Sequence, residues 1–283
     1  MNYHSDEWIM DGVSEHLNEI SAVYPKDHIV GIFLQGSQNY GLDYKDSDID
    51  TKCIITPSFR NVALVGKPVS TTHVRENDEH IDVKDIRLYI QTFRKQNLNF
   101  LEILFTKYFI LPNKEFEVQW SRLVDNREKI AHYDVCKNVK AMCGVAAEKY
   151  FALEHQYPSR MEWINKFGYD PKQLHHLLRI KEYLLRYING EKYENCMVTS
   201  QSDFLKDVKT GYYKLEEARE LGTNTYNEIK EVSDSFCMIN KARPLDKEVD
   251  ELLDDVSYEI MKISIEQDFE KEKVSENGEQ VSL

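Results

Sequence analysis

The chain has 283 residues, and its 49 acidic and 36 basic side chains give a formal net charge of −13. This length provides enough apolar surface for one large domain or two modest ones. Because nucleic-acid binding requires Lys and Arg to neutralise phosphates, the charge argues against non-specific binding of nucleic acid over the whole surface. Local basic patches remain compatible with it.

The cysteines and the N-terminus indicate the cellular compartment. None of the cysteines is spaced as CxxC, so they predict reduced thiols and neither a disulfide framework nor a zinc site. The first residues lack the basic and apolar segments of a signal peptide, and no apolar run reaches 18 residues. We therefore expect a soluble, cytoplasmic protein without a membrane partner. The cysteines are Cys53, Cys136, Cys143, Cys196 and Cys237.

Helical spacing of apolar residues is the first structural signal along the chain. Trp8, Val13 and Leu17 recur at that spacing within residues 6–23, and Ser5 stands before them as an N-cap candidate. This pattern predicts a helix ahead of the first strand.

A short apolar run over residues 28–35 follows, and it ends at Gly36 and Ser37. Such a run closed by a glycine predicts a buried strand that leads into a tight turn. Glycine lets the backbone approach a ligand closely, and Ser37 offers a hydroxyl and an amide to a phosphate. The turn is therefore a candidate phosphate-binding site.

Two aspartates stand at the start of a second apolar strand. Asp48 and Asp50 lie eleven and thirteen residues after Ser37, and the alternation of a strand should project both carboxylates from one face while Ile49 enters the core. Two unit charges about 4 Å apart repel by roughly 4 kcal/mol at an effective dielectric of 20. A raised pKa on one partner or a bound cation must offset this repulsion.

Carboxylate oxygens beside a phosphate site favour Mg²⁺ or Mn²⁺ as that cation. The same facing of Asp48 and Asp50 would suit two ions about 3.5–4 Å apart. In isolation, however, Asp/Ser-rich segments between strands are mostly just turns.

The remaining signals complete a first structural unit. Residues 56–78 predict a loop or hairpin, and residues 79–86 predict a third strand. Helices are predicted over 86–96 and 99–109, so that the unit ends near Pro112.

Beyond Pro112 the pattern is almost wholly helical. Asp170 as cap, Pro171 at the first position and Gly190 as stop define one helix. Gly144 is expected to allow close helix contact, and a break is expected near Gly222. Helices are predicted over residues 113–130, 132–155, 171–189, 211–240 and 246–267. The charged residues 269–283 predict a disordered tail.

The order of strand, Gly36-Ser37, ten intervening residues and Asp48-Ile49-Asp50 resembles the signature of the DNA polymerase beta-like nucleotidyltransferase superfamily. Residues 85–105 and 166–193 are similar to one branch, the predicted nucleotidyltransferases of bacteria and phages. The matching positions of the second segment are Gly168, Tyr169, Asp170, Lys172, His176 and Arg179. The resemblance covers about residues 28–260.

The resemblance implies an α+β protein. An N-terminal nucleotidyltransferase fold, which is a small mixed β-sheet flanked by helices, would occupy residues 1–112. An all-α helical domain would follow over residues 113–268, and the tail over residues 269–283.

The resemblance also implies a third carboxylate on a later strand. Asp82 alternates with core residues on the third strand and is the candidate, so that Asp48, Asp50 and Asp82 would be the catalytic metal ligands. The Asp85 side chain lies on the other face of the third strand from Asp82. Asp85 immediately precedes a helix, so an N-cap role explains the aspartate at this position. His80 falls where a carboxylate is expected.

A basic stripe is predicted on the helix that starts at Pro171. Lys172, His176 and Arg179 lie at i, i+4 and i+7, on one helix face. The stripe would bind the nucleotide phosphates together with the Gly36-Ser37 turn, or it is a solvated basic face. Glu102 either faces the site or pairs with a basic residue across the domain interface.

The implied activity is a Mg²⁺- or Mn²⁺-dependent transfer of NMP from an NTP to an acceptor hydroxyl, with release of pyrophosphate. An RNA end, a protein side chain and a small molecule all remain open as the acceptor. The alternative is a non-catalytic nucleotide-binding regulator or antitoxin-like partner protein with the same fold. The sequence indicates no oligomeric state.

Overall fold

The structure, a computed structural model, describes residues 3–241 and 243–280. A five-stranded mixed sheet lies within residues 29–110, and helices make up most of the chain that follows. This architecture confirms the predicted α+β class. Among the described helices, none combines the length and the apolar character needed to cross a membrane.

The strands occur in the order β3-β4-β2-β1-β5 across the sheet. Antiparallel pairs join β1 to β2, β1 to β5 and β3 to β4, whereas β2 and β4 are parallel. The strands are β1 (Ile29–Gln35), β2 (Asp50–Ile55), β3 (Ser70–Val74), β4 (His80–Asp85) and β5 (Phe109–Ile110).

The α-helices fall into two groups along the chain. Four accompany the strands: α1 (Asp6–Ile20), α2 (Phe59–Ala63), α3 (Ile86–Arg94) and α4 (Leu98–Leu101). The others follow β5: α5 (Glu117–Asp125), α6 (Arg127–Ala131), α7 (Val135–Ala152), α8 (Met161–Phe167), α9 (Pro171–Ile188), α10 (Tyr193–Met197), α11 (Ser202–Lys209), α12 (Leu215–Asn240) and α13 (Lys247–Gln280).

Helix α1 covers one face of the sheet. The Ser5 hydroxyl accepts a hydrogen bond from the Trp8 amide and caps the helix, as its sequence predicts. The side chains of Ile9 and Val13 are fully buried against β-strand residues such as Ile32. The other face of the sheet packs against the larger core shared by α3, α5, α7, α9 and α13.

Two predicted helices are shorter than expected because other contacts compete with them. The stretch 99–109 leaves helical structure after Leu104, and Phe109 and Ile110 pair with β1 as an edge strand. The stretch 113–130 is divided at Asn126, whose side-chain amide donates to the Arg122 carbonyl at 2.9 Å. Such a side-chain bond to a helix carbonyl competes with continuation of the helix.

Gly190 lies just beyond the end of α9, as predicted, whereas the predictions for Gly222 and Gly144 were wrong. Helix α12 continues without a break through Gly222. A Cβ at Gly222 would lie 3.2 Å from the Leu153 side chain, so this glycine permits close packing against the end of α7. Gly144, in contrast, does not mark a close helix contact, because a Cβ there would have no neighbour within 4 Å.

Helix α13 extends further than the sequence predicts. It continues to Gln280, while residues 281–283 of the predicted disordered tail lie outside the described residues. The Phe269 ring packs on Phe59, 4.6 Å between ring centroids, and Lys271 pairs with Asp27. These contacts with the N-terminal part of the chain supply the apolar and ionic partners that the local sequence lacks.

A buried polar cluster ties α13 to the sheet. His28 Nε2 lies 2.9 Å from Asp268 Oδ1, and the Phe59 amide donates to Asp268 Oδ2 at 2.6 Å. Ser264 donates to the Thr56 hydroxyl at 2.7 Å. Asp268 therefore satisfies donors from two separate segments.

We expect Asp268→Ala to lower the free energy of unfolding by about 1–3 kcal/mol, because it leaves the His28 ring and the Phe59 amide without their acceptor. Urea denaturation followed by circular dichroism measures the change. Glu270→Ala, an exposed carboxylate two residues along the same helix, is the matched control. Equal midpoints for the two variants would contradict the role given to Asp268.

Candidate active site

A cavity of about 650 Å³ lies between the sheet and the helices that follow it. Its volume is typical of small-molecule and cofactor sites. One side, which we call the sheet wall, comprises Gln35, Gly36, Ser37, Tyr40, Leu42, Tyr44, Asp46, Ser47, Asp48, Asp50, Leu98, Asn99 and Glu102. The other side, the helix wall, comprises Val145, Glu148, Lys149, Arg160, Trp163, Lys172, His175, His176, Arg179, Ile180, Tyr183, Tyr193, Met197, Lys209 and Thr210.

The cavity brings together every residue that the sequence nominated for the site except Asp82. Gly36, Ser37, Asp48 and Asp50 belong to the sheet wall, whereas the three residues of the basic stripe belong to the helix wall. More than 120 residues separate the two groups in sequence. Only the tertiary fold makes them neighbours.

The Gly36-Ser37 turn follows directly from the end of β1. Gly36 has φ +110°, a conformation that side-chain-bearing residues rarely adopt, and a 3₁₀ turn follows over Ser37–Tyr40. The Gly36 amide donates to Glu102 Oε1 at 2.6 Å. Because a carboxylate already accepts from the Gly36 amide, this amide is not available to a phosphate. Ser37 retains a hydroxyl 3.4 Å from the Ser47 hydroxyl.

Asp48 and Asp50 flank a buried isoleucine, as the alternation predicts. Ile49 is 2% exposed, Asp48 is exposed and Asp50 is partly buried; β2 itself begins at Asp50. Burial and the neighbouring Asp48 charge raise the pKa of the Asp50 carboxyl above its ordinary value. The predicted repulsion between the two carboxylates is therefore present.

A buried network fixes the backbone between the two aspartates. The Ile49 amide donates to Glu79 Oε1 at 3.1 Å, and Glu79 Oε2 lies 3.1 Å from His16 Nε2. The other ring nitrogen of His16 lies 2.8 Å from the Thr51 hydroxyl. Helix α1 thus holds the chain on both sides of Asp50. No local sequence signal identifies this role of Glu79, because its partners lie far away in sequence.

Asp82 lies on β4 beside β2, on the same sheet face as Lys52, but outside the cavity lining. Its carboxylate accepts from Lys52 Nζ at 3.0 Å and from the Thr72 hydroxyl at 2.5 Å. Burial alone would raise the pKa of Asp82, but Lys52 and Thr72 outweigh it and lower the pKa. The residue beside Asp50 is instead His80, whose amide donates to Asp50 Oδ1 at 2.9 Å.

Asp85 is the N-cap of α3, as predicted. Its carboxylate accepts from the Arg87 amide at 2.9 Å and also pairs with the Arg87 side chain. Asp85 is 1% exposed. Its carboxylate is engaged at the helix start.

Helix α9 supplies the centre of the helix wall. Asp170 caps it by accepting from the Lys172 amide, and Pro171 occupies its first position, as predicted. Asp170 also accepts two hydrogen bonds from Arg160, at 2.9 and 2.7 Å. The cap therefore fixes a second cation beside Lys172 at the N-terminal end of α9.

Arg179 is the most unusual cation of the helix wall. Its guanidinium lies over the Tyr40 ring, 3.9 Å from the ring centroid, and its buried Nε has no hydrogen-bond partner. Within the described ranges, no carboxylate lies within 4 Å of Arg179 or Lys172. A partly buried guanidinium that lines a cavity, with an unpartnered Nε and no carboxylate beside it, favours an anionic ligand.

The two histidines of α9 are held neutral. Burial, followed by the charges of nearby cations such as Arg179, lowers the pKa of His176 well below its ordinary value. Burial lowers the pKa of His175 to about 4, and its Nδ1 lies 2.8 Å from the Leu205 carbonyl. His176 can therefore offer a phosphate a neutral hydrogen-bonding group.

Further cavity residues had weak sequence signals. Lys209 lines the cavity from the end of α11, and burial and Lys172 lower its pKa while Asp48 opposes that shift. Arg160, Lys149 and Trp163 also line it. Lys166 does not line the cavity and lies over the Phe167 ring. Arg160, Lys149 and Trp163 come from helical segments without a recognisable motif, so only helix packing identifies them.

Asp48 and Asp50 provide two carboxylate ligands for a divalent cation, but the described part of the chain groups no third protein ligand with them. Two carboxylates beside a cavity, one with a raised pKa, match Mg²⁺ bound by one or two carboxylates plus substrate phosphates. Among the residues that the structure describes, no three His, Cys, Asp or Glu side chains are grouped to hold a metal by themselves. The arrangement fits an ion completed by the substrate, with Asp82 committed to Lys52.

Comparison with known proteins adds no relative. No protein-family model matches the chain, and no curated protein matches it either. The interpretation of the cavity therefore depends on its own residues.

We expect Asp50→Asn to stabilise the protein at about pH 7. Because the folded state raises the pKa of Asp50, its stabilising contribution is present below the unfolded pKa of about 3.9 and is lost as pH rises through the folded pKa. Asparagine removes that loss and keeps the acceptor for the His80 amide. Thermal denaturation at about pH 7 and about pH 3.5 should show a higher midpoint for the variant only at the higher pH. A lower midpoint at about pH 7 would contradict the prediction.

Proposed function

We propose that the protein is a metal-dependent nucleotidyltransferase that transfers NMP from an NTP to an acceptor hydroxyl. The acceptor oxygen attacks the α-phosphorus, the bond from that phosphorus to the bridging oxygen breaks, and pyrophosphate leaves with that electron pair. The acceptor proton passes to solvent or a nearby base. The resemblance to the DNA polymerase beta-like superfamily and the composition of the cavity support this proposal.

The observation that carries the proposal is the opposite charge of the two walls. Among the cavity residues that the structure describes, all five cations belong to the helix wall, and four of the five carboxylates belong to the sheet wall. A triphosphate with its cation needs this polarity, because the phosphates require positive charge on one side and the metal requires carboxylates on the other. The cations are Lys149, Arg160, Lys172, Arg179 and Lys209; the sheet-wall carboxylates are Asp46, Asp48, Asp50 and Glu102.

The cations differ in how free they are to bind a phosphate. Lys149 lies 2.7 Å from Glu148, and Arg160 is engaged with Asp170. Lys172, Arg179 and Lys209 have no carboxylate within 4 Å in the part of the chain that the structure describes. These three are the proposed phosphate-binding cations, with His176 and the Ser37 hydroxyl as neutral partners.

Asp48 and Asp50 would hold Mg²⁺ or Mn²⁺ together with the substrate phosphates. The ion, when bound, neutralises charge on the reacting phosphates. The Glu79 network holds the backbone between the two proposed ligands, as hydrogen-bonding partners behind metal ligands commonly do. The proposed location is the cytoplasm, in keeping with five cysteines that are all free thiols.

We expect Asp48→Asn and Asp50→Asn each to reduce nucleotide transfer by at least about 100-fold, because each removes a ligand of the reacting ion. The protein is incubated with each α-labelled NTP and Mg²⁺ or Mn²⁺, together with total RNA, total cell protein or a small-molecule extract. The fraction that becomes labelled identifies the acceptor class. The Asp48→Asn/Asp50→Asn double variant is the negative control.

Asp78→Asn is the matched control for an aspartate outside the site. Asp78 is exposed and has φ 64°, which asparagine tolerates, so its transfer rate should equal that of the wild type. Unchanged transfer in both Asp48→Asn and Asp50→Asn would contradict the proposal.

A non-catalytic nucleotide-binding regulator is the second candidate. The commitment of Asp82 to Lys52 and Thr72 favours it, because one of the three carboxylates that the resemblance implies as metal ligands is then already engaged. This candidate predicts NTP binding by calorimetry with no labelled acceptor in any fraction. Label in one fraction would exclude it.

A further inference from the structure

Glu102 is a buried carboxylate with an unusual set of partners. It is 3% exposed, and it accepts hydrogen bonds from the Gly36 amide at 2.6 Å, from Asn39 Nδ2 at 2.7 Å and from the Tyr40 hydroxyl. All three donors belong to the turn that follows β1. Glu102 lies more than 60 residues further along the chain and holds that turn through all three hydrogen bonds.

Burial of this carboxylate has no structural compensation from a salt bridge. Within the described part of the chain no Lys or Arg lies within 4 Å of it, and burial raises its pKa although the three hydrogen bonds and the more distant Arg179 charge act in the opposite direction. Its neighbours Leu101, Ile103 and Leu104 are apolar and buried. An apolar residue in its place would avoid the desolvation penalty, so a role beyond packing is the better explanation for a carboxylate here.

Tyr40 connects Glu102 to the helix wall. Its hydroxyl is held by Glu102 Oε2, and its ring lies under the Arg179 guanidinium at 3.9 Å. A tyrosine ring fixed at its hydroxyl end presents one face in a defined place, and a guanidinium stacks readily on such a face. Glu102, Tyr40 and Arg179 therefore form a continuous series of contacts from the sheet wall to the helix wall.

We propose that Glu102 is a positioning residue that fixes the Gly36-Ser37 turn and, through Tyr40, orients Arg179, so that both contact the same terminal phosphates of the triphosphate. The nature of the ligand rests on the proposed function. The arrangement links the sheet wall to the helix wall by a continuous chain of contacts. It also explains why the Gly36 amide is occupied: this amide anchors the turn, while Ser37 and Arg179 remain to bind the anion.

The test uses inorganic tripolyphosphate as the probe, with its dissociation constant measured by titration calorimetry on the full chain. We expect Tyr40→Phe, Glu102→Leu and Arg179→Ala each to weaken binding by about 10-fold, the loss of one oriented charge-assisted contact. Glu102→Gln keeps an acceptor for the Gly36 amide and should retain most of the affinity. Glu76→Gln, an exposed loop carboxylate, is the control with unchanged affinity.

A double-mutant cycle separates positioning from a merely structural role. If Tyr40 acts through Arg179, Tyr40→Phe should have no further effect on tripolyphosphate binding in the Arg179→Ala background. Additive losses would overturn the proposal, and so would a wild type that does not bind tripolyphosphate. Thermal midpoints identify any variant that fails to fold; should Glu102→Leu do so, the Tyr40–Arg179 cycle still decides.

The same measurements distinguish this inference from the proposed function. Tripolyphosphate binding with a non-additive cycle, combined with no transfer from any NTP, would refute the transferase and keep the positioning role. Transfer activity with an additive cycle would keep the transferase and refute the positioning role. In an active protein, Tyr40→Phe should raise KM for the NTP about 10-fold and change kcat less.

Discussion

The pairing of Gln35 with Asp50 is the constraint on which the rest of the site depends. Because β1 and β2 are antiparallel, this pair places the end of one strand beside the start of the next. The Gly36-Ser37 turn and the Asp48/Asp50 carboxylates therefore share one edge of the sheet. A register shift of one residue would turn Asp50 toward the core and Ile49 toward the cavity.

Holding two carboxylates at that edge is unfavourable, and the surrounding structure reflects it. Glu79 and His16 fix the backbone at Ile49, and the His80 amide donates to Asp50. Burial and the neighbouring Asp48 charge raise the pKa of Asp50 even with these contacts in place.

The helix wall complements the sheet wall in charge and in rigidity. Helix α9 begins at a capped, bidentate Asp170–Arg160 pair, and its next turns present Lys172, His176 and Arg179 to the cavity. The Glu102–Tyr40 hydrogen bond and the stacking of Arg179 on Tyr40 connect the sheet wall to this helix. This series of contacts joins the two walls of the cavity through side chains alone.

Local signals predicted the first strand, the Ser5, Asp85 and Asp170 caps, the Gly36-Ser37 turn and the Asp48/Asp50 pair. Each of these follows from spacing over a few residues, where alternation and capping chemistry act directly. The commitment of Asp82 to Lys52, the occupation of the Gly36 amide by Glu102 and the entry of Lys209 into the cavity were decided only by the tertiary structure. Such contacts join segments distant in sequence, and burial determines their partners.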